Sequence, residues 1–102
     1  MAAGVFYFMR KDNKETRQLE DLCAAVLTLE SVEECKSFLD DLCSIAEISS
    51  LSQRWQVALM LDKGKTYAEI TAETGASTAT ISRINRCLNY GGGYRAVIDR
   101  LK

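Results

Sequence analysis

Apolar residues recur every three or four positions along most of the chain, which is the spacing of one face of an α-helix. The first such stripe contains Leu19, Leu22 and Val26, and the second begins with Val32. Alternation typical of strands is nowhere sustained, and the chain has no proline. We therefore predict an all-α fold of about six helices. They are expected near residues 13–29, 32–43, 45–63, 67–74, 78–89 and 94–101.

The most informative stretch runs from Thr66 to Arg86, where two short helical patterns flank Gly75. Thr66 and Glu69 are spaced as a capping box that starts the first helix. Gly75 is placed to end it, because glycine adopts the left-handed conformation without a Cβ penalty. Ser77 can cap the second helix, so only a tight turn separates the two. This pattern predicts a helix-turn-helix, whose second helix enters the major groove of DNA.

The two faces of this motif differ in composition. Ile70, Ala76, Ile81 and Ile84 fall where two crossed helices touch. The opposite face is small at its N-terminal end and carries arginines further along, a composition suited to base edges and phosphates. The surface of an ordinary helical hairpin is the alternative, but apolar spacing on both sides of the glycine favours DNA binding. The outward residues are Ser77, Thr78, Ala79, Ser82, Arg83 and Arg86.

The segments 51–58 (LSQRWQVA) and 75–88 (GASTATISRINRCL) resemble the Trp repressor superfamily, and within it the YerC/YecD branch of bacterial regulators. The similarity extends from about Thr16 to Asn89. It implies a sequence-specific transcriptional regulator, expected to be a repressor, that forms an intertwined homodimer through its first two helices and its last one. It also places Arg54 against a DNA phosphate. The predicted DNA-binding residues are therefore Arg54, Thr66, Tyr67, Ser77, Thr78, Ala79, Thr80, Ser82, Arg83 and Arg86.

In the tryptophan-responsive member of this family, the corepressor lies between the central helix and the recognition helix, beside two arginines that match Arg54 and Arg83. The next residue is a glycine there and Ile84 here, and overlap of a few methylenes costs roughly 1–3 kcal/mol. The resemblance thus predicts a ligand cleft at Arg54, Arg83, Ile84 and Cys87 that Ile84 fills, so we expect no gating by tryptophan. A repressor that depends on tryptophan or another small ligand is the alternative.

The net charge of −1 is unevenly divided. Residues 1–62 carry six Lys/Arg against eleven Asp/Glu, a balance of −5, and residues 63–102 carry seven against three, a balance of +4. Phosphate attraction depends on the local patch, so the basic half that contains the motif fits double-stranded DNA. Two departures from the family, Thr71 and Asn89 at positions of basic residues, predict a weaker or differently placed footprint.

Other classes of protein lack the residues they need. The chain has no histidine, and Cys23, Cys35, Cys43 and Cys87 show no C-x-x-C spacing, so we predict no metal, no cofactor and reduced cysteines in a cytoplasmic protein. No glycine-rich phosphate loop or G-x-S-x-G occurs, which argues against an enzyme. A helical protein-interaction module is the second alternative. No apolar run is long enough to span a membrane.

The domain prediction follows from the uninterrupted helical spacing. Residues 13–102 are expected to form a single Trp repressor-like domain, with the helix-turn-helix at residues 66–89. Residues 1–12 are expected to form an N-terminal arm. Because Met9 is itself a suitable start, residues 1–8 are interpreted as added sequence or as the product of an alternative upstream start.

Overall fold

The computed structural model describes residues 13–102, and all the regular secondary structure in that range is helical. The all-α prediction is confirmed there, while the predicted N-terminal arm at residues 1–12 lies outside the described residues. The helices are α1 (Lys14–Val26), α2 (Val32–Leu42), α3 (Ile45–Asp62), α4 (Tyr67–Thr74), α5 (Thr78–Tyr90) and α6 (Gly93–Leu101).

Local capping explains most of the helix ends. Asn13 begins α1 by accepting a hydrogen bond from the N–H of Thr16, and Ser31 begins α2 by accepting one from the N–H of Glu34. The end of α1 differs most from the prediction, since it comes three residues before position 29. There the hydroxyl of Thr28 donates to the carbonyl of Ala25 at 2.7 Å. Backbone bonds to the third preceding residue replace the helical pattern, and the helix ends.

Contacts divide the chain between Ile45 and Ala46 into two compact units. The second unit contains the buried core of the described chain. Each of the helices α3 to α6 contributes at least one residue to this core. The prediction of a single domain over residues 13–102 stays a prediction. The buried hydrophobic residues are Val57, Ala58, Met60, Ile70, Ala76, Ile81, Ile84, Leu88 and Ile98.

The first unit leaves its apolar stripes largely open. Leu22 and Val26 on α1 and Leu42 on α2 are all exposed, and Phe38 is only half-buried. Cys23 on α1 is exposed as well. Helices with amphipathic faces normally bury those faces, so the described helices of the first unit present exposed apolar surface.

An ionic cluster joins the end of α3 to α6. One guanidinium nitrogen of Arg95 lies 2.7 Å from Oδ1 of Asp62, and Nζ of Lys102 lies 3.3 Å from Oδ2 of the same carboxylate. The hydrogen bond from Arg95 holds the pKa of Asp62 below its ordinary value of 3.8. The carboxylate therefore favours the folded state only while it is ionised.

Because the pKa of Asp62 is lowered by folding, its contribution to stability is present above pH 3.8 and is lost as the pH falls through the folded value. We expect Asp62→Asn to reduce the free energy of unfolding at neutral pH, and the difference from the parent to shrink below about pH 3.8. Urea unfolding across the pH range measures this, with Glu73→Gln as an exposed control. A difference that persists at about pH 2 contradicts the assignment.

Candidate nucleic-acid interface

The capping box predicted at Thr66 is present at the start of α4. The N–H of Glu69 donates to the hydroxyl oxygen of Thr66 at 3.1 Å, and the N–H of Thr66 donates to the Glu69 carboxylate at 3.0 Å. Hydrogen bonds from the backbone N–H and the side chain of Thr66 to the Glu69 carboxylate hold its pKa below its ordinary value. Thr66 therefore uses both its backbone N–H and its hydroxyl within the capping box.

The turn after α4 is closed by both backbone and side chains. Gly75 adopts the left-handed conformation, with φ of 76°, and its N–H donates to the carbonyl of Thr71. The hydroxyl of Thr71 donates to the carbonyl of Ala76 at 3.1 Å. Thr71, at a position where the family resemblance predicts a basic residue, is therefore a structural component of the turn.

The buried face of the motif is the one predicted. Ile70 and Ile81 are fully buried, and Ala76 and Ile84 are 2% and 3% exposed. Ser77 caps α5 by accepting from the N–H of Thr80 at 3.1 Å. The opposite face of α5 is open to solvent. Its exposed residues are Thr78, Ala79, Ser82, Arg83 and Arg86.

The remaining predicted DNA-binding residues differ in how freely they are presented. Arg54 is exposed on α3, whereas Tyr67 is half-buried and packs against the core. The hydroxyl of Ser77 donates to that of Thr80 at 3.1 Å, so both hydroxyls take part in the cap. Ser77 and Thr80 therefore stabilise the start of α5. Thr78 and Ala79 are the exposed residues of its first turn that are not part of this cap.

The four residues of the predicted ligand cleft lie together. Arg54, Arg83, Ile84 and Cys87 line one open concavity of about 430 Å³. Its wall also includes Trp55, which stacks with Tyr94 at a ring-centroid distance of 6.3 Å. Ile84 was expected to fill this space. Its side chain is 3% exposed and lines the concavity, and the exclusion of a ligand by Ile84 stays a prediction.

Two exposed lysines were absent from the sequence prediction. Lys63 and Lys65 flank Gly64, whose φ is 81°, in the loop that leads directly into Thr66. Their positive charge and their position next to the capping box could have identified them from the sequence. An exposed basic loop at the start of the motif can attract phosphate in addition to Arg54.

Residues 13–102 contain no helix that is both long and apolar enough to cross a membrane. Their His, Cys, Asp and Glu side chains form no group of three that could hold a metal ion. The predicted absence of a metal and of a cofactor stays a prediction.

Comparisons with known proteins agree with this geometry. A sequence model of the family described as Trp repressor protein matches residues 17–102. The uncharacterised protein YerC of Bacillus subtilis is 53% identical over 95 residues, which cover 92% of this chain and 91% of YerC. A crystal structure described as a candidate Trp repressor from Staphylococcus aureus is 55% identical, with a TM-score of 0.78 over 83% of this chain and 86% of its own. A TrpR-like protein from Eubacterium eligens is 53% identical, with a TM-score of 0.80 over 84% and 90%.

The buried Ile84 gives a test of the concavity. Ile84→Gly should lower the free energy of unfolding by roughly 2–5 kcal/mol through the lost packing, and by up to about 1 kcal/mol more for glycine within a helix. The enlarged space should admit an indole, so millimolar tryptophan should raise the melting temperature of the variant but not of the parent. Thermal unfolding of both proteins, with and without tryptophan, provides the measurement. A parent that is itself stabilised contradicts the expectation that Ile84 excludes the ligand.

Proposed function

The chain belongs to the Trp repressor family, in the branch that includes YerC, and from this premise we propose that it is a transcriptional regulator that binds double-stranded DNA as a homodimer. The outer face of α5 is the observation that carries the proposal. Ile81 and Ile84 are buried, so the opposite side of the helix faces outward. That side presents small residues first and arginines later, as a helix that docks in the major groove requires.

Base reading is assigned to the first turn of α5. Thr78 and Ala79 are exposed there, and the N-terminal residues of a recognition helix are those that contact base edges. A threonine hydroxyl can donate to or accept from a base, and an alanine methyl can contact the methyl of thymine. Ser82 extends this surface by one helical turn.

Phosphate binding is assigned to the charged residues around that turn. Arg54 on α3 and Arg83 and Arg86 on α5 are exposed. Lys63 and Lys65 add two positive charges before α4. Each phosphate that such a residue neutralises releases condensed counterions, which makes the affinity depend on salt without reading the sequence. The five residues therefore set the strength and position of binding, while the first turn of α5 determines which DNA sequence is preferred.

The homodimer proposal is supported by the exposed stripes of the first unit. Leu19, Leu22 and Val26 on α1 and Leu42 on α2 are from 38% to 51% exposed in the single chain. Full burial of such a side chain contributes about 1.5–3 kcal/mol, and these are about half exposed, so a second copy of the chain that covers them gains roughly half of that for each. A symmetric pair also doubles the footprint, with recognition helices about 34–36 Å apart to reach successive major grooves.

We propose that DNA binding, with repression as its result, does not depend on tryptophan. The caps of α4 and α5 and the turn between them are closed by hydrogen bonds of the chain itself. An effector acts only if it binds one conformational state of the protein better than another. Because the turn is ordered without a ligand, an effector has a smaller population of disordered turn to shift. A ligand-dependent repressor that uses the concavity beside Arg83 is the competing proposal.

We propose that this chain binds DNA and does not catalyse a reaction, and that it acts in the cytoplasm. A helical protein-interaction module remains the competing class, since a helix-turn-helix can also hold another protein. The two classes differ in their response to salt. Binding through phosphates weakens as salt rises, whereas contact through apolar surface does not.

Roles on α3 and α5 can be separated by one set of binding measurements. Arg54→Ala should weaken binding to all duplexes alike and flatten the dependence of log affinity on log salt by about one unit, the share of one phosphate contact. Ala79→Leu should instead change which sequences are preferred, because the larger side chain meets the base edges. Sequences selected from a random duplex pool, followed by titration at several salt concentrations, measure both. A new preference in Arg54→Ala with a parental salt slope reverses the assignment.

The exposed stripes predict the oligomeric state. At micromolar concentration the protein should sediment with twice the chain mass of 11.4 kDa. Leu22→Asp should shift it towards monomer, because a buried carboxylate opposes association. Gln18→Asp, an exposed polar position on the same helix, serves as the matched control and should leave the dimer intact. A monomeric parent contradicts the homodimer proposal.

A further inference from the structure

The side chain of Gln53 reaches from α3 to the end of α4. Its amide Nε2 donates to the carbonyl of Thr74 at 3.0 Å, although the two residues are 21 positions apart. Thr74 is the last residue of α4, and the last carbonyls of a helix have no partner within it. Gln53 thus satisfies a carbonyl that directly precedes the turn of the motif.

Thr74 is also bonded on its other side. Its hydroxyl donates to the carbonyl of Ile70 at 2.7 Å and accepts from the N–H of Ala76 at 3.2 Å. Only Gly75 and Ala76 separate Thr74 from Ser77, the cap of α5. A displacement of Thr74 therefore reaches the first turn of α5 through two residues, one of which, Ala76, is itself buried.

Gln53 occupies the junction between the two proposed kinds of DNA contact. It precedes Arg54 in the chain, and it lines a small concavity of about 180 Å³ together with Arg54, Thr80 and Arg83. The helix that carries the phosphate-binding Arg54 is therefore tied, by one side-chain amide, to the segment that sets the position of Thr78 and Ala79.

These observations lead to a specific role, which rests on the proposed DNA-binding function. We propose that Gln53 is a positioning residue for sequence discrimination, which holds the base-reading end of α5 at a fixed distance from Arg54. Hydrogen bonds to bases require a donor–acceptor distance of about 2.7–3.2 Å, so a small shift of α5 breaks them. Phosphate contacts by long, flexible lysine and arginine side chains tolerate the same shift. Loss of the Gln53 bond therefore reduces discrimination and leaves the salt-dependent component of binding in place.

The test compares Gln53→Met with Gln56→Met. Methionine keeps the length of glutamine and removes the amide donor, and Gln56 is an exposed residue on the same helix. Affinities are measured for a duplex selected by the parent and for an unrelated duplex, across a series of salt concentrations. Gln53→Met should bind the selected duplex about 2- to 10-fold more weakly, the range that one net hydrogen bond supports. Its affinity for the unrelated duplex and its salt slope should equal those of the parent, and Gln56→Met should match the parent throughout.

Two further results overturn the inference. If Gln53→Met keeps the parental ratio of the two affinities, the bond has no role in discrimination. If both affinities fall in equal proportion as the melting temperature falls, the bond is structural only. A parent and a Gln56→Met control that bind no duplex overturn the proposed function itself, together with this inference.

Amide hydrogen exchange gives a measurement that needs no DNA. Exchange at Gly75, Ala76 and Ser77 should accelerate in Gln53→Met and stay parental in Gln56→Met, because only the first variant frees the carbonyl of Thr74. If amide exchange in Gln53→Met equals that of the parent, the Gln53 bond does not hold the segment before α5 in place, and the inference is overturned. Gln53→Glu, which keeps the side-chain shape but replaces the donor with a carboxylate, should reproduce the faster exchange if the methionine variant is poorly folded.

Discussion

The burial of Ile70 and Ile81, on either side of Gly75, determines where every polar side chain of the motif points. Both side chains are fully buried, and burying an isoleucine contributes about 1.5–3 kcal/mol, more than the 0.5–1.5 kcal/mol of a typical hydrogen bond. Rotation of α5 by one residue, about 100°, would expose Ile81 and bury Ser82. Apolar packing therefore sets the rotation of the helix, and the hydrogen bonds of Thr71 and Thr74 adjust the turn within that limit.

Charge and apolar surface are distributed in opposite ways between the two units. Residues 13–45 carry three Lys/Arg against eight Asp/Glu and expose apolar stripes, whereas residues 46–102 carry eight against five and contain the buried core. An acidic surface is repelled by phosphate, so the first unit is unsuited to DNA. Its exposed leucines and valine suit a protein partner instead. The proposed association and the proposed DNA binding therefore rely on different parts of the sequence.

Features that depend on neighbouring residues could be predicted from the sequence, and those that depend on distant residues could not. The cap at Thr66, the left-handed Gly75 and the cap at Ser77 each involve residues within one turn, and all three are present. The early end of α1 depends on competition by the Thr28 hydroxyl, which periodicity does not show. The open concavity beside Ile84 depends on the depth to which α5 packs, and the bond of Gln53 joins residues that only the fold brings together.

Thr71, where the family resemblance predicts a basic residue, connects the structure to the energetics of the proposed DNA binding. A basic residue at this position would supply a phosphate contact, and each such contact changes the salt slope by about 0.9. The threonine instead donates to the carbonyl of Ala76 and helps to order the turn in the free protein. Segments that are ordered before binding lose less conformational entropy when they dock. In the proposed complex with DNA, preorganisation of the turn thus partly offsets the absence of a positive charge at this position. The same preorganisation reduces the further ordering of the turn that an effector could cause, since a ligand shifts an equilibrium only by its differential affinity for two states.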